Sequence, residues 1–168
     1  MESIGHSGDE RPNTTAEAKH APLDQLDMRI LTRLLVDGRV SYRQMAHELR
    51  TSTSTVSSRV SRLEKTGIIS GYSAAINFES LGYDLTAIVG IVVSKGKLSR
   101  TEAEIARLPG VCAVYDVTGE NDAFIVAKFR RREELSRFAK GLLSMQFVER
   151  ANTHVVLSTV KEDFRLSL

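Results

Sequence analysis

The spacing of apolar residues changes along the chain, and each change marks an element. The first 22 residues are polar, contain Pro12 and Pro22 and show no apolar period, so they read as a disordered tail. From Leu23 the pattern turns helical: Leu26, Ile30, Leu31, Leu34 and Leu35 recur at three- and four-residue steps. Asp24 and Asp27 fall in the first turn, where the helix dipole favours negative charge. Gly38 stands where a left-handed residue would end that helix. A second, short helix opens at Ser41, whose spacing to Gln44 is that of a capping box. Its apolar face is Tyr42, Met45, Ala46 and Leu49. In the third segment eight of the eleven residues 51–61 are Ser or Thr, a linker-like composition. Against that, Val56, Val60 and Leu63 fall at i, i+4 and i+7. Ser52 as N-cap and Gly67 as stop frame a helix from about Thr53 to Lys65 with a small, polar outer face.

Residues 68–72 and 74–76 read as a short strand or hairpin, and 79–83 as a connector. The period then shortens to that of strands. Thr86–Ser94 is β-branched and reads as a strand buried on both faces. Ser99 to Glu102 has the form of a second capping box, opening a helix that ends near Leu108-Pro109-Gly110. Val111–Thr118 and Ala123–Phe129 flank the turn Gly119-Glu120-Asn121-Asp122, Arg132–Ser144 is an amphipathic helix, and the last strand is Val155–Val160 or, in an alternative reading, one that starts nearer Phe147. The predicted fold is therefore α+β: three helices with a wing, then a ferredoxin-like β-α-β-β-α-β domain. The expected organisation is a tail over 1–22, a first domain with its connector over 23–82 and a second domain over 83–168. Two helices cover one sheet face and leave an apolar face that needs a partner, so dimerisation through the sheet is expected.

Composition narrows the functions. The chain has 168 residues, 42% apolar and 26% charged, enough for a real core. No apolar run approaches the ~20 residues of a membrane span, and no secretory signal is visible. A single cysteine, Cys112, allows no internal disulfide framework and fits a reducing cytoplasm; it is expected to pack in its strand as a small apolar group. His6, His20, His47 and His154 have no second His or Cys at metal-ligand spacing, so neither a metal nor a cofactor is expected. The net charge of +2 hides a gradient. Residues 23–76 carry eight Lys/Arg against five Asp/Glu, whereas 77–168 carry thirteen against twelve. The three-helix segment is the one to test for an anionic partner.

The second and third helices are separated only by Arg50-Thr51-Ser52, the short joint of a helix-turn-helix. Such a unit places its last helix in the major groove of double-stranded DNA, N-terminal residues near base edges. Small hydroxyl side chains permit close approach and bond to phosphates or bases. Ser52, Thr53, Ser54, Thr55, Ser57, Ser58 and Ser61 are the candidates on this segment, with Arg50, Arg59 and Arg62 as phosphate contacts. Arg59 has a second reading, as an internal partner of Asp27. The bland alternative is a plain three-helix bundle with a Ser-rich face. The 119–122 turn likewise has two readings. It is an ordinary hairpin turn, or a site where a carboxylate receives an ammonium and free N–H groups receive a carboxylate. Arg130-Arg131-Arg132 reads as a solvated face offset by Glu133 and Glu134.

Leu23-Asp24-x-x-Asp27-x-x-Ile30-Leu31, then Asp37-Gly38-Arg39, then Ser52-x-x-Thr55-Val56-x-x-Arg59-Val60-x-x-Leu63-Glu64-x-x-Gly67-Ile68-Ile69-x-Gly71-Tyr72 together resemble the Lrp/AsnC family of feast/famine transcription regulators. The resemblance continues through Val117 to Asp122 and covers about residues 23–168. It implies a winged helix-turn-helix followed by a domain that dimerises, assembles in some members into tetramers or octamers, and in many binds a small amino acid between dimers. Gly119, Glu120 and Asp122 are the effector-site residues it implies. Two positions depart from the family pattern. The joint holds Arg50 and Thr51 where a glycine and an apolar residue are usual. The acidic pair after Gly119 is Glu120 and Asp122 rather than two aspartates. Either Arg50 adopts a conformation that glycine takes more cheaply, or the turn differs.

The expected function is a sequence-specific, DNA-binding transcription regulator modulated by an amino acid. The alternatives are a chromatin-like protein that coats DNA, and an enzyme of the same two-domain form acting on a tetrapyrrole. No His-Asp or Cys-His constellation supports catalysis, so no enzyme activity is expected.

Overall fold

The structure is a computed structural model and describes residues 22–166 and 168. They fall into two compact units, the first ending at Ser73 and the second spanning Ala74–Phe164, with the residues from Arg165 grouping with the first. Residues 74–82, placed above within the first domain and its connector, group with the second unit.

In the first unit, helices α1 (Gln25–Val36), α2 (Tyr42–Leu49) and α3 (Thr53–Lys65) enclose a core of Ile30, Val40, Met45, Ala46, Val56, Val60 and Leu63. The full capping box sits at α1. Asp24 accepts from the Asp27 N–H at 2.9 Å, and Asp27 accepts from the Asp24 N–H at 3.0 Å. At α2 only half a box forms: Ser41 accepts from the Gln44 N–H, while the Gln44 amide donates to Glu48 instead. Gly38 is not left-handed. Asp37 closes α1 by turning its carboxylate onto the Arg39 N–H at 2.9 Å, an Asx turn that needs no positive φ. Tyr42 is exposed rather than part of the apolar face. Residues 68–76 form no strand in place of the short strand or hairpin expected there. Ile68 and Ile69 instead pack against the helical core, and the Tyr72 hydroxyl donates to Glu64 of α3 at 2.9 Å.

The second unit is a four-stranded antiparallel sheet in the order β2-β3-β1-β4, with β1 Leu85–Val93, β2 Val111–Asp116, β3 Ala123–Phe129 and β4 Val148–Val155. Helices α4 (Leu98–Ile105) and α5 (Arg132–Leu143) complete the β-α-β-β-α-β order. Alternate residues Ala87, Val89, Ile91 and Val93 pair with Ala123, Ile125, Ala127 and their neighbours and face the helices. β1 is therefore buried mainly on one face. On the other face Ile88 and Tyr115 are 38% and 46% exposed, leaving that face open.

Three strand-half expectations change. The last strand is Val148–Val155, in line with the start near Phe147 and not with 155–160. The box at Ser99 does not form: α4 starts at Leu98, and Thr101 bonds back to the Lys97 carbonyl at 2.9 Å. Cys112 is exposed at the irregularity where β2 shifts register.

Candidate nucleic-acid interface and effector loop

The joint between α2 and α3 is built on Arg50, with φ 53° and ψ 51°, the only non-glycine residue of positive φ among the described residues. The Thr51 N–H closes the turn on the Ala46 carbonyl at 2.9 Å. Ser52 then caps α3, its hydroxyl accepting from the Thr55 N–H at 3.0 Å and lying 2.8 Å from the hydroxyls of Ser54 and Thr55. Val56, Val60 and Leu63 bury one face of α3, so Ser54, Ser58 and Ser61 fall on the opposite one. Thr53, Ser54, Ser57 and Ser58 are exposed and Ser61 is half-buried. Ser58 donates back to the Thr55 carbonyl at 3.0 Å, whereas Ser57 and Thr53 keep unengaged hydroxyls among the described residues.

Arg59 and Arg62 lie on the flank of α3 that meets α1. Arg59 donates to Asp24 at 2.5 Å and to Asp27 at 3.2 Å, and Arg62 also donates to Asp27, whose side chain is 0% exposed. Asp24 is held below its ordinary carboxylate range, first by the Asp27 N–H and then by Arg59; Arg59 is raised in turn by Asp24. The reading of Arg59 as an internal partner of Asp27 is thus the one the structure contains, and Arg62 joins it. A second pair, Arg33 with Glu48 at 2.7 Å, ties α1 to α2. Arg29, Arg39, Arg43, Arg50 and Lys65 make no ion pair with any described residue. The positive excess of this unit therefore rests on them, not on Arg59 and Arg62. Arg43 and His47 are exposed at i and i+4 on α2, and Arg50 is exposed at its left-handed C-cap. The i, i+4 spacing of Arg43 and His47 is a sequence signal for this exposed basic face, and neither residue is among the sequence-derived candidates.

Beyond β2, Gly119 has φ 124° and Glu120 is exposed. Asp122 is committed to the scaffold: its carboxylate accepts from the Val93 N–H at 2.7 Å, and its own N–H donates to the Ile91 carbonyl at 2.8 Å. Asn121, absent from the sequence-derived site, lies over Gly90 so closely that a Cβ there would sit 2.7 Å from its Oδ1. Glu120 and Asn121 with Arg150, Ala151 and Asn152 line a cleft of about 280 Å³, and Arg150 donates to the Glu120 carbonyl at 3.2 Å. The loop thus brings together a backbone bend, an amide and a cation, with Glu120 as its free carboxylate. No group of three or more metal-ligating side chains exists among the described residues. No helix among them is long and apolar enough to cross a membrane.

A helix-turn-helix with a hydroxyl-rich last helix, joined to a β-α-β-β-α-β unit with a loop-side cleft, defines a class: two-domain DNA-binding regulators with a ligand-binding domain. Comparisons with known proteins make that class specific. The family model of the Lrp/AsnC ligand binding domain matches residues 86–166, and that of a winged helix-turn-helix DNA-binding domain matches 23–70. An uncharacterized HTH-type transcriptional regulator of Pyrococcus horikoshii is 51% identical over 144 residues, 86% of this chain and 97% of that protein. A transcriptional regulator of Neisseria meningitidis, solved as a complex with L-Met, superposes with a TM-score of 0.80 at 30% identity, covering 87% of this chain and 97% of that one. The AsnC structure of Escherichia coli gives a TM-score of 0.80 at 26% identity, covering 84% and 97%. The chain belongs to the Lrp/AsnC family of transcriptional regulators.

Proposed function

We propose that this regulator reads a specific DNA sequence through the exposed hydroxyl face of α3, as a dimer or a higher oligomer, under control of a small amino acid. The observation that carries the reading is a division of labour on the first unit. Thr53, Ser54, Ser57 and Ser58 are exposed, while Arg59 and Arg62 are spent on α1. The hydroxyls then meet base edges, and the free cations Arg43 on α2 and Arg50 at its C-cap meet phosphates, as the first helix of such a motif crosses the backbone. Arg59 and Arg62 act as positioning residues that fix the angle of α3. The open sheet face with Ile88 and Tyr115 supports pairing of two copies, which predicts half-sites about 34 Å apart or at multiples of that spacing. The cleft at Glu120 and Asn121 is the effector site in this reading, with Asp122 and Gly119 shaping the loop. The L-Met complex of the Neisseria relative supports an amino-acid ligand.

The test is titration of the full chain against a library of genomic fragments at physiological salt, with and without each of the twenty amino acids. A preferred pseudo-palindromic site whose occupancy one amino acid changes is the expected result. Shallow preference with cooperative, length-dependent coating would replace it with the chromatin-like reading. Arg43→Ala and Arg50→Ala are each expected to weaken binding to all sequences and to lower the salt slope by about 1.

A further inference from the structure

The groove between α4 and α5 is used neither by the DNA-reading face nor by the effector loop. α4 stops at Ile105, and on the helix side of the sheet a cavity of about 700 Å³ remains. That lies within the range of about 300–1,000 Å³ typical of small-molecule sites. Its floor is apolar: Leu108, Met145 and the rings of Phe129 and Phe138, whose centroids are 5.1 Å apart.

One wall is α5, through Glu134, Arg137, Phe138 and Gly141 at i, i+3, i+4 and i+7. Gly141 has no local structural reason. It lies inside a helix, where glycine is the poorest former after proline. Its φ is not positive, and a Cβ built on it would meet nothing within 4 Å. What its missing side chain does is keep the groove open.

The rim charges sort themselves. Lys128 is paired with Glu162 at 2.8 Å. Glu134 accepts from the Arg130 N–H and from Arg131, and is lowered by them in that order. The Arg130 guanidinium lies 4.6 Å from the Tyr83 ring centroid. Arg137 and Glu104 are left, and neither pairs with a described residue. The trough thus offers one unspent cation, one unspent anion and an apolar floor.

We infer that this groove binds a zwitterion with an apolar body, its carboxylate on Arg137, its ammonium on Glu104 and its body against Phe138. A free apolar amino acid and a short apolar peptide share that chemistry. The site is separate from the 119–122 loop, since no loop residue lines it. It adjoins Tyr83, where the chain enters β1, so an occupant would touch the residue leading into the sheet.

The experiment is methyl NMR on the labelled full chain, titrated with L-phenylalanine, the dipeptide Leu-Leu, phenylpropionate and phenethylamine. Saturable shifts of the Leu108 and Met145 methyls are expected with the first two probes, the tighter of them identifying the source. The two single-charge compounds are expected to bind at least tenfold more weakly. Gly141→Leu, which fills the groove, and Arg137→Gln, which removes its cation, should each weaken the zwitterion at least tenfold; the second serves alone if the first does not fold. Silence of the groove methyls with every probe overturns the proposal. So does equal binding of phenylpropionate, or indifference to Arg137→Gln. Binding lost in Asp122→Ala but untouched at position 141 would put the ligand at the loop and also overturn it. Binding lost only through the groove variants would stand even if the loop reading failed.

Discussion

The two units of this regulator are held together by different forces. The second has an apolar core of eleven buried residues; its one buried polar residue among the described residues, Thr101, donates to the carbonyl of the N-cap Lys97, and the Glu102 Oε1 beside it is buried without a hydrogen-bond partner among them. The first has seven buried apolar residues and a buried carboxylate, Asp27, bound by two arginines from another helix. Apolar packing is non-directional and tolerates small rotations of a helix. A carboxylate gripped from two positions one turn apart on α3 does not, because charge-assisted hydrogen bonds weaken steeply with angle. The unit that must present α3 at a fixed angle is the unit that uses charge to hold it. The sheet unit depends on burial instead.

The sharpest way to break this contrast is to cut each unit at its own anchor. Ile125→Ala in the sheet core should cost about 2–5 kcal/mol, read from urea unfolding followed by circular dichroism, with little dependence on salt. Asp27→Ala should cost less, about 2 kcal/mol. Removing one member of a buried pair costs more than that when the other is stranded, but Arg59 and Arg62 are 30% and 42% exposed and regain water. Hydrogen exchange should show that loss confined to α1 and α3. A comparable loss of protection in the sheet would deny that the Asp27 cluster acts within its own unit.

Smaller effects sharpen it. Arg50→Gly relieves a left-handed residue with a side chain and should stabilise the first unit by about 0.5–1 kcal/mol, measured as a raised midpoint of unfolding. The same change removes a free cation, so DNA affinity should fall while stability rises. Acid separates the units as well. Asp24 and Glu48 sit below their ordinary values of 3.8 and 4.5, Asp24 through the Asp27 N–H and Arg59, Glu48 through Arg33 and Gln44. Their folded forms hold a proton less tightly than the unfolded chain does. The stability they give is complete above about pH 4.5 and is lost as pH falls through their lowered values. In the sheet unit Glu134 is lowered too, but burial and the nearby Asp116 raise Glu102, so protonation there favours the folded form. The helical unit should therefore lose protection first on acidification, checked by hydrogen exchange from pH 6 to about 3.

Much of this was legible in the spacing of apolar residues. The two-part fold and the helix-turn-helix joint follow from local pattern and chemistry, and a left-handed Arg50 was one of the two outcomes left by the family's usual glycine at that place. What local pattern could not supply is pairing across distance. Asp27 with Arg59 and Arg62 spans 32 and 35 residues, and nothing in the sequence decides whether an arginine turns inward or outward until α1 lies against α3. The last strand shows another limit. β4 is an edge strand whose Glu149, Arg150 and Asn152 are exposed, so its apolar signal is weaker than that of Val155-Val156-Leu157, which drew the reading too far along the chain. The capping box misread at Ser99 has the right letters at the right spacing, but the helix had already begun at Leu98. The α4–α5 groove was invisible because its walls come from three elements.

The most direct test of the central claim compares the wild-type chain with the double variant Ser57→Ala, Ser58→Ala in selection from random DNA at physiological salt. The wild type should select one pseudo-palindromic site. The double variant should keep its fold and its non-specific affinity, yet lose or change preference at matching positions of both half-sites, each altered contact being worth about 1–3 kcal/mol. An unchanged selected site in the double variant would contradict the claim that α3 reads DNA through its hydroxyl face.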